Sequence, residues 1–191
     1  MELKELTELV DKVKLRRPGA FDLLYEKFKD QAYRTAVFLT GNEEDAKDVV
    51  QDTFVTVSLE IGKLKNSQAY VAWFYRILTN NAGANLKKHK REIPKEESEM
   101  RQMNAKIQED FADKLLQQEE QKRLRKTIEK MDEKYRTVIV LYYYNEFSIG
   151  EIAQILKCRQ GTVKSRLFKA RKILEQKLSE QGFMNKEDFT V

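Results

Sequence analysis

Arg159, Gln160, Thr162, Lys164, Ser165, Arg166, Lys169 and Arg171 crowd into one short stretch of the chain. Guanidinium and amide groups match the edges of guanine and adenine, hydroxyls can donate or accept, and ammonium groups neutralise phosphate. Between them Val163, Leu167, Ala170 and Leu174 recur at helical spacing, so the polar set forms the outer face of a helix whose inner face is apolar. Just upstream, Ser148 stands where a cap belongs, before a short helix carrying Ile149, Ile152, Ala153 and Leu156. Lys157-Cys158-Arg159 then supplies a turn, and small Ala153 lets the two helices approach closely. This is helix-turn-helix spacing, and its chemistry is the reading of duplex DNA through the major groove. A lysine-rich helix alone is often just a solvated surface. The turn geometry and the scarcity of acids on the outer face favour DNA.

A second set is acidic. Asp45, Asp48 and Asp52 are spaced to share one exposed helical face, with Gln51 beside them, opposite a core face of Val49, Val50 and Phe54. Solvation explains such a face, and so does a basic partner helix. No glycine-rich phosphate loop and no nucleophile–base set with recognisable spacing occurs, so neither catalysis nor a cofactor is expected. The sole cysteine, Cys158, has no disulfide or metal partner, which agrees with a reducing cytoplasm, and reads as a turn residue. His89, the only histidine, reads as solvent-facing within a basic tail. The N-terminus alternates charged and apolar residues, so no signal peptide is expected, and the longest apolar run, Val138 to Tyr144, is too short to span a bilayer.

The elements that must position these groups are helices. Of 191 residues, 41% are hydrophobic and 35% charged, with only 7 glycines and 2 prolines, a composition for long helices and few turns. Phe21, Leu24, Tyr25, Phe28, Ala32 and Ala36 mark one amphipathic helix stopped by Gly41. Asn42 can cap the next, with Glu43, Glu44 and Asp45 in its positive first turn. A loop holding Gly62, Lys63, Lys65 and Asn66 leads to a third helix from near Ser67, with Tyr70, Trp73, Phe74, Ile77 and Leu78 inward and a basic end at Lys87 to Arg91. Pro94 interrupts the pattern, and the polar, charged stretch to about Gln118 reads as a linker. Leu124, Ile128, Met131, Val138, Leu141 and Tyr142 then mark two helices separated near Asp132. An all-α chain of two small helical domains joined by a flexible charged linker is expected, each half with a limited core.

Glu151-Ile152-Ala153 followed by Gly161-Thr162-Val163-Lys164-Ser165-Arg166-Leu167-Phe168-Lys169-Ala170-Arg171 resembles region four of the extracytoplasmic-function sigma factors. Asp45 through Phe54 resembles region two of the same family, and Ala72-Trp73-Phe74-Tyr75-Arg76-Ile77 with Asn80 is similar to its next helix. The resemblance runs from Phe21 to Leu178. It implies a promoter-specificity subunit: region two at 1–91, a linker at 92–119, region four at 120–180 and a tail at 181–191. By that resemblance Asp45, Asp48, Gln51 and Asp52 meet the polymerase clamp helices, and the region-four residues named above read the minus-thirty-five element beside the polymerase flap. Lys63, Lys65, Asn66, Arg76, Asn80, Asn81, Lys87 and Lys88 can form the basic groove for melted minus-ten DNA. Expected partners are core RNA polymerase, promoter DNA and an anti-sigma factor, with no small-molecule substrate. The chain departs from the family at Ala84, often acidic there, and at Lys157, often glycine. Two rivals are an autonomous dimeric helix-turn-helix regulator and a helical adaptor whose basic helix merely solubilises it.

Overall fold

The computed structural model describes residues 3–92 and 124–180, and among them the chain is helical with no strand. The expected linker beyond Glu92 and the expected tail lie outside the described residues. Helix α1, Leu3–Lys14, buries Leu6, Val10 and Val13, so the N-terminal alternation of charged and apolar residues becomes a helix. Helix α2, Ala20–Thr40, stops at Gly41, whose φ of 76° is open to glycine and whose amide closes back on Val37. Asn42 then caps α3, Glu43–Glu60, its side chain accepting from the Glu44 and Asp45 amides at 2.8 and 3.4 Å. The expected loop contains two 3₁₀ turns, Ile61–Lys63 and Ser67–Ala69, and α4 follows at Tyr70–Glu92. Phe28, Phe54, Tyr70 and Phe74 make the aromatic centre of this half, with ring centroids 5.1 to 5.9 Å apart. Burying each such ring is worth about 1.5–3 kcal/mol.

In the second half, residues 124–129 form α5. Asp132 caps α6, Glu133–Ile139, which runs into a π turn at Val140–Tyr144. Helix α7, Ile149–Ile155, opens on a full capping box: the Ser148 hydroxyl meets the Glu151 amide and the Glu151 carboxylate returns to the Ser148 amide. Helix α8, Gln160–Glu180, packs Val163, Leu167, Ala170 and Leu174 inward, as their spacing requires.

The halves also dock on one another. Tyr75, only 2% exposed, stacks edge-on against Phe147 at 4.8 Å, and Phe38 meets Tyr144 at 4.8 Å. Asn145, turned inward at the end of the π turn, donates to Thr35 Oγ1 at 2.9 Å and Tyr75 Oη at 3.3 Å. Buried Arg136 donates from Nη1 to the Leu39 carbonyl at 2.5 Å and from Nη2 to the Met131 carbonyl at 3.0 Å. Gly83 of α4 lies so close to Glu133 that a Cβ there would stand 2.5 Å from its Oε1. Two small cores thus become one continuous cluster.

Candidate nucleic-acid interface

The recognition surface is built by the turn between α7 and α8. Lys157 takes a left-handed φ of 48°, and the Cys158 amide returns to the Ala153 carbonyl at 3.0 Å. That bend brings α8 across α7 with Ala153 and Ile152 buried between them. Arg159, Gln160, Lys164, Ser165 and Lys169 are exposed on one side of α8, at and beyond its positive N-terminal end. Thr162 and Arg166 are half-buried beside them. Arg171 is turned aside: its guanidinium lies 5.7 and 5.6 Å from the ring centroids of Tyr142 and Tyr143, pinning α8 to the π turn. Phe168, 61% exposed on this basic surface with the Lys172 ammonium 4.8 Å from its ring centroid, was missed as a contact. Its signal was an apolar residue at helical spacing from Lys164 and Ser165.

The acidic face of α3 is smaller than its spacing promised. Asp48, Gln51 and Asp52 are exposed, but Asp45 is half-buried and accepts from His89 Nε2 at 2.7 Å. Both expectations for that pair are corrected: Asp45 does not stand free, and His89 does not simply face solvent. The cause is that α4 runs back along the start of α3. Val55 and Leu59, 50% and 75% exposed, continue the Asp48–Asp52 stripe at i+3 and i+4 steps. They add an apolar strip that sequence reading left out.

The third set is scattered. Lys63, Lys65 and Asn66 are exposed together around the 3₁₀ turns, with Lys63 on Glu60 at 3.0 Å and Asn66 capping through the Gln68 amide at 3.0 Å. Asn80, Lys87 and Lys88 are exposed along α4. Asn81 donates to buried Thr53 at 3.2 Å, tying α4 to α3. Arg76 points the other way, to the second half: Nη2 donates to the Gln154 carbonyl at 2.7 Å and Nε to the Ile155 carbonyl at 3.2 Å. Trp73, expected in the core, is only partly buried and lines a cleft of about 510 Å³ between α4 and the helix-turn-helix. The arrangement presents separate cationic, acidic and amide-bearing surfaces. No cluster able to hold a metal occurs among the described residues.

Comparison with known proteins follows the same division. Residues 24–92 match the family model for sigma-70 region 2, and residues 121–174 match that for sigma-70 region 4. The RNA polymerase sigma-H factor of Pseudomonas aeruginosa is 30% identical over 90% of this chain and 92% of its own. The ECF RNA polymerase sigma factor SigW of Bacillus subtilis is 30% identical over 90% of this chain and 95% of its own. Among solved structures, the sigma factor RpoE of Bartonella quintana, in complex with the anti-sigma factor NepR, has a TM-score of 0.66 at 23% identity. It covers 84% of this chain and 98% of that one.

Proposed function

The chain belongs to the extracytoplasmic-function sigma factors of the sigma-70 family, promoter-specificity subunits of bacterial RNA polymerase, and from that premise we propose how its surfaces divide the work. The α3 strip of Asp48, Gln51, Asp52, Val55 and Leu59 docks on the polymerase clamp helices, acids against a basic partner and apolar side chains at the centre of the contact. Region four lays α8 in the major groove of the minus-thirty-five element. Arg159 and Gln160 reach base edges, Lys164 and Lys169 hold phosphates, and Phe168 offers its ring to a thymine methyl. Lys63, Lys65, Asn66 and Asn80 catch the melted minus-ten strand, where amides read the edges of unstacked bases. Asp45 and Asn81 act by holding α3 and α4 in place. The protein works in the cytoplasm, makes and breaks no covalent bond itself, and is held in check by an anti-sigma factor, as RpoE is bound by NepR.

The observation that carries this reading is the exposure of the basic α8 face and the acidic α3 face on opposite halves of one chain. Run-off transcription from a promoter library with purified core polymerase tests it. Initiation that depends on this chain is expected, lost with Lys164→Glu plus Lys169→Glu. Tight sequence-specific DNA binding by a dimer that ignores core polymerase would instead support the autonomous regulator.

A further inference from the structure

We propose that α1 tunes promoter choice from a distance: Asp11 and Lys14 pin Ser67, and with it the loop at 63–66, in the shape that discriminates among minus-ten bases. This rests on the assignment of Lys63, Lys65 and Asn66 to the melted minus-ten strand. Helix α1 packs on both 3₁₀ turns as well as on α2. The Ser67 hydroxyl donates to the Asp11 carboxylate, 56 residues back along the chain, and accepts from Lys14 Nζ at 3.3 Å. Lys14 Nζ also lies 3.8 Å from Asp11 Oδ1, so the three side chains close a triangle between α1 and the start of the second 3₁₀ turn. Ser67 is 7% exposed and its oxygen is committed to α1, so it holds the loop and does not itself read DNA.

The loop's own bonds are local. The Leu64 amide returns to the Ile61 carbonyl and the Ala69 amide to the Asn66 carbonyl, both at 3.1 Å, and Lys63 reaches back to Glu60 at 3.0 Å. Leu64 is partly buried against the core, whereas Lys63, Lys65 and Asn66 are exposed. Leu64 and Ser67 are thus two anchors, one apolar and one polar, with the side chains offered to DNA beside and between them. Asn66 commits its Oδ1 to the Gln68 amide at 3.0 Å, which leaves Nδ2 to donate to a base. Every base carries an acceptor somewhere on its edge, so a donor on a shifting loop would satisfy several of them. It discriminates only when held in one place, and the residue next to Asn66 is the one that α1 holds.

Run-off transcription with core polymerase, on a promoter library randomised at the minus-ten and minus-thirty-five elements, reads base preference as a ratio that cancels the active fraction of each preparation. Asp11 is exposed, so Asp11→Leu leaves no hole in the core, and circular dichroism checks that it stays helical. Asp11→Leu and Ser67→Ala should each flatten the minus-ten preference about fivefold, and little further in combination, with the minus-thirty-five preference unchanged. Asp11→Asn keeps an acceptor for the Ser67 hydroxyl and should restore most of the native preference. Native minus-ten preference in active Asp11→Leu and Ser67→Ala chains would overturn the proposal. Equal flattening at both elements, the mark of a general loosening, would overturn it too. Asn66→Asp keeps the bond to the Gln68 amide and removes the Nδ2 donor, so it reports on the loop alone. If it shifts the minus-ten preference and Asp11→Leu does not, the role of α1 is overturned while the loop assignment stands. If Asn66→Asp leaves the preference unchanged, the assignment of Asn66 to minus-ten bases fails, and the role of α1 fails with it.

Discussion

Lys157 shows how a single departure from a family's pattern becomes physical. Its left-handed φ of 48°, just past the end of α7, is a conformation that costs a side-chain-bearing residue about 1–2 kcal/mol and glycine nothing. Lys157→Gly should therefore raise the midpoint of urea unfolding, by about 1 kcal/mol in free energy, and leave the exposed α8 face intact. Arg171 and Lys164 separate structure from recognition in the same way. With its guanidinium over two tyrosines, Arg171→Ala should lose about 1 kcal/mol of stability, whereas Lys164→Ala should keep its melting temperature and lose salt-dependent DNA binding. Glu129 carries a pH signature. Burial pushes its carboxyl above the usual 4.5, outweighing the pull of Arg125, Arg136 and Lys126. A carboxyl raised by folding favours the fold below 4.5 and ceases to as pH rises through the folded value. Glu129→Gln, which can keep a bond to Arg125 Nε, should melt higher than the native chain at neutral pH. That gap should close as pH falls toward 4.5.

At the scale of helices, the sequence was a good guide wherever the signal was local. Gly41 and Asn42 mark a stop and a start because their own backbone and side chain do the work, and the apolar spacing of α2, α4 and α8 points where the core is. The capping box of α7 was half visible in Ser148. Ser148→Ala should cost about 1 kcal/mol, felt first as fraying of α7 by hydrogen exchange and then as weaker DNA binding. What sequence reading lost was set by neighbours far along the chain. Arg76 looked like a DNA contact because its partners lie 78 and 79 residues away, and Asp45 looked free because His89 reaches it from another helix. Exposed Val55 and Leu59 were readable from spacing, yet an apolar residue on a charged face is easily passed over. The α3 strip can be tested as a unit: Asp48→Arg with Asp52→Arg should keep native circular dichroism and lose co-purification with core polymerase.

For the whole molecule, a single recognition helix makes few duplex contacts, so affinity for promoter duplex, measured on the free chain, should be low. At one stated salt concentration a gel shift should show only weak binding, in the nonspecific range of about 10⁻⁴ to 10⁻⁶ M, and specific melted complexes only with core polymerase present. The π turn at Val140–Tyr144 adds a consequence of a different kind. A π turn is an α-helix holding one surplus residue, so the phase of everything after it depends on chain length and not only on side-chain identity. Excising Tyr143, exposed at 55%, would restore ordinary helical winding and swing Asn145 about 100° around the axis, away from Thr35 and Tyr75. A one-codon deletion should then uncouple the halves more completely than any substitution at the interface, with α8 still folded on α7. The packing of the two halves is therefore set by chain length at this spot as well as by the side chains that meet.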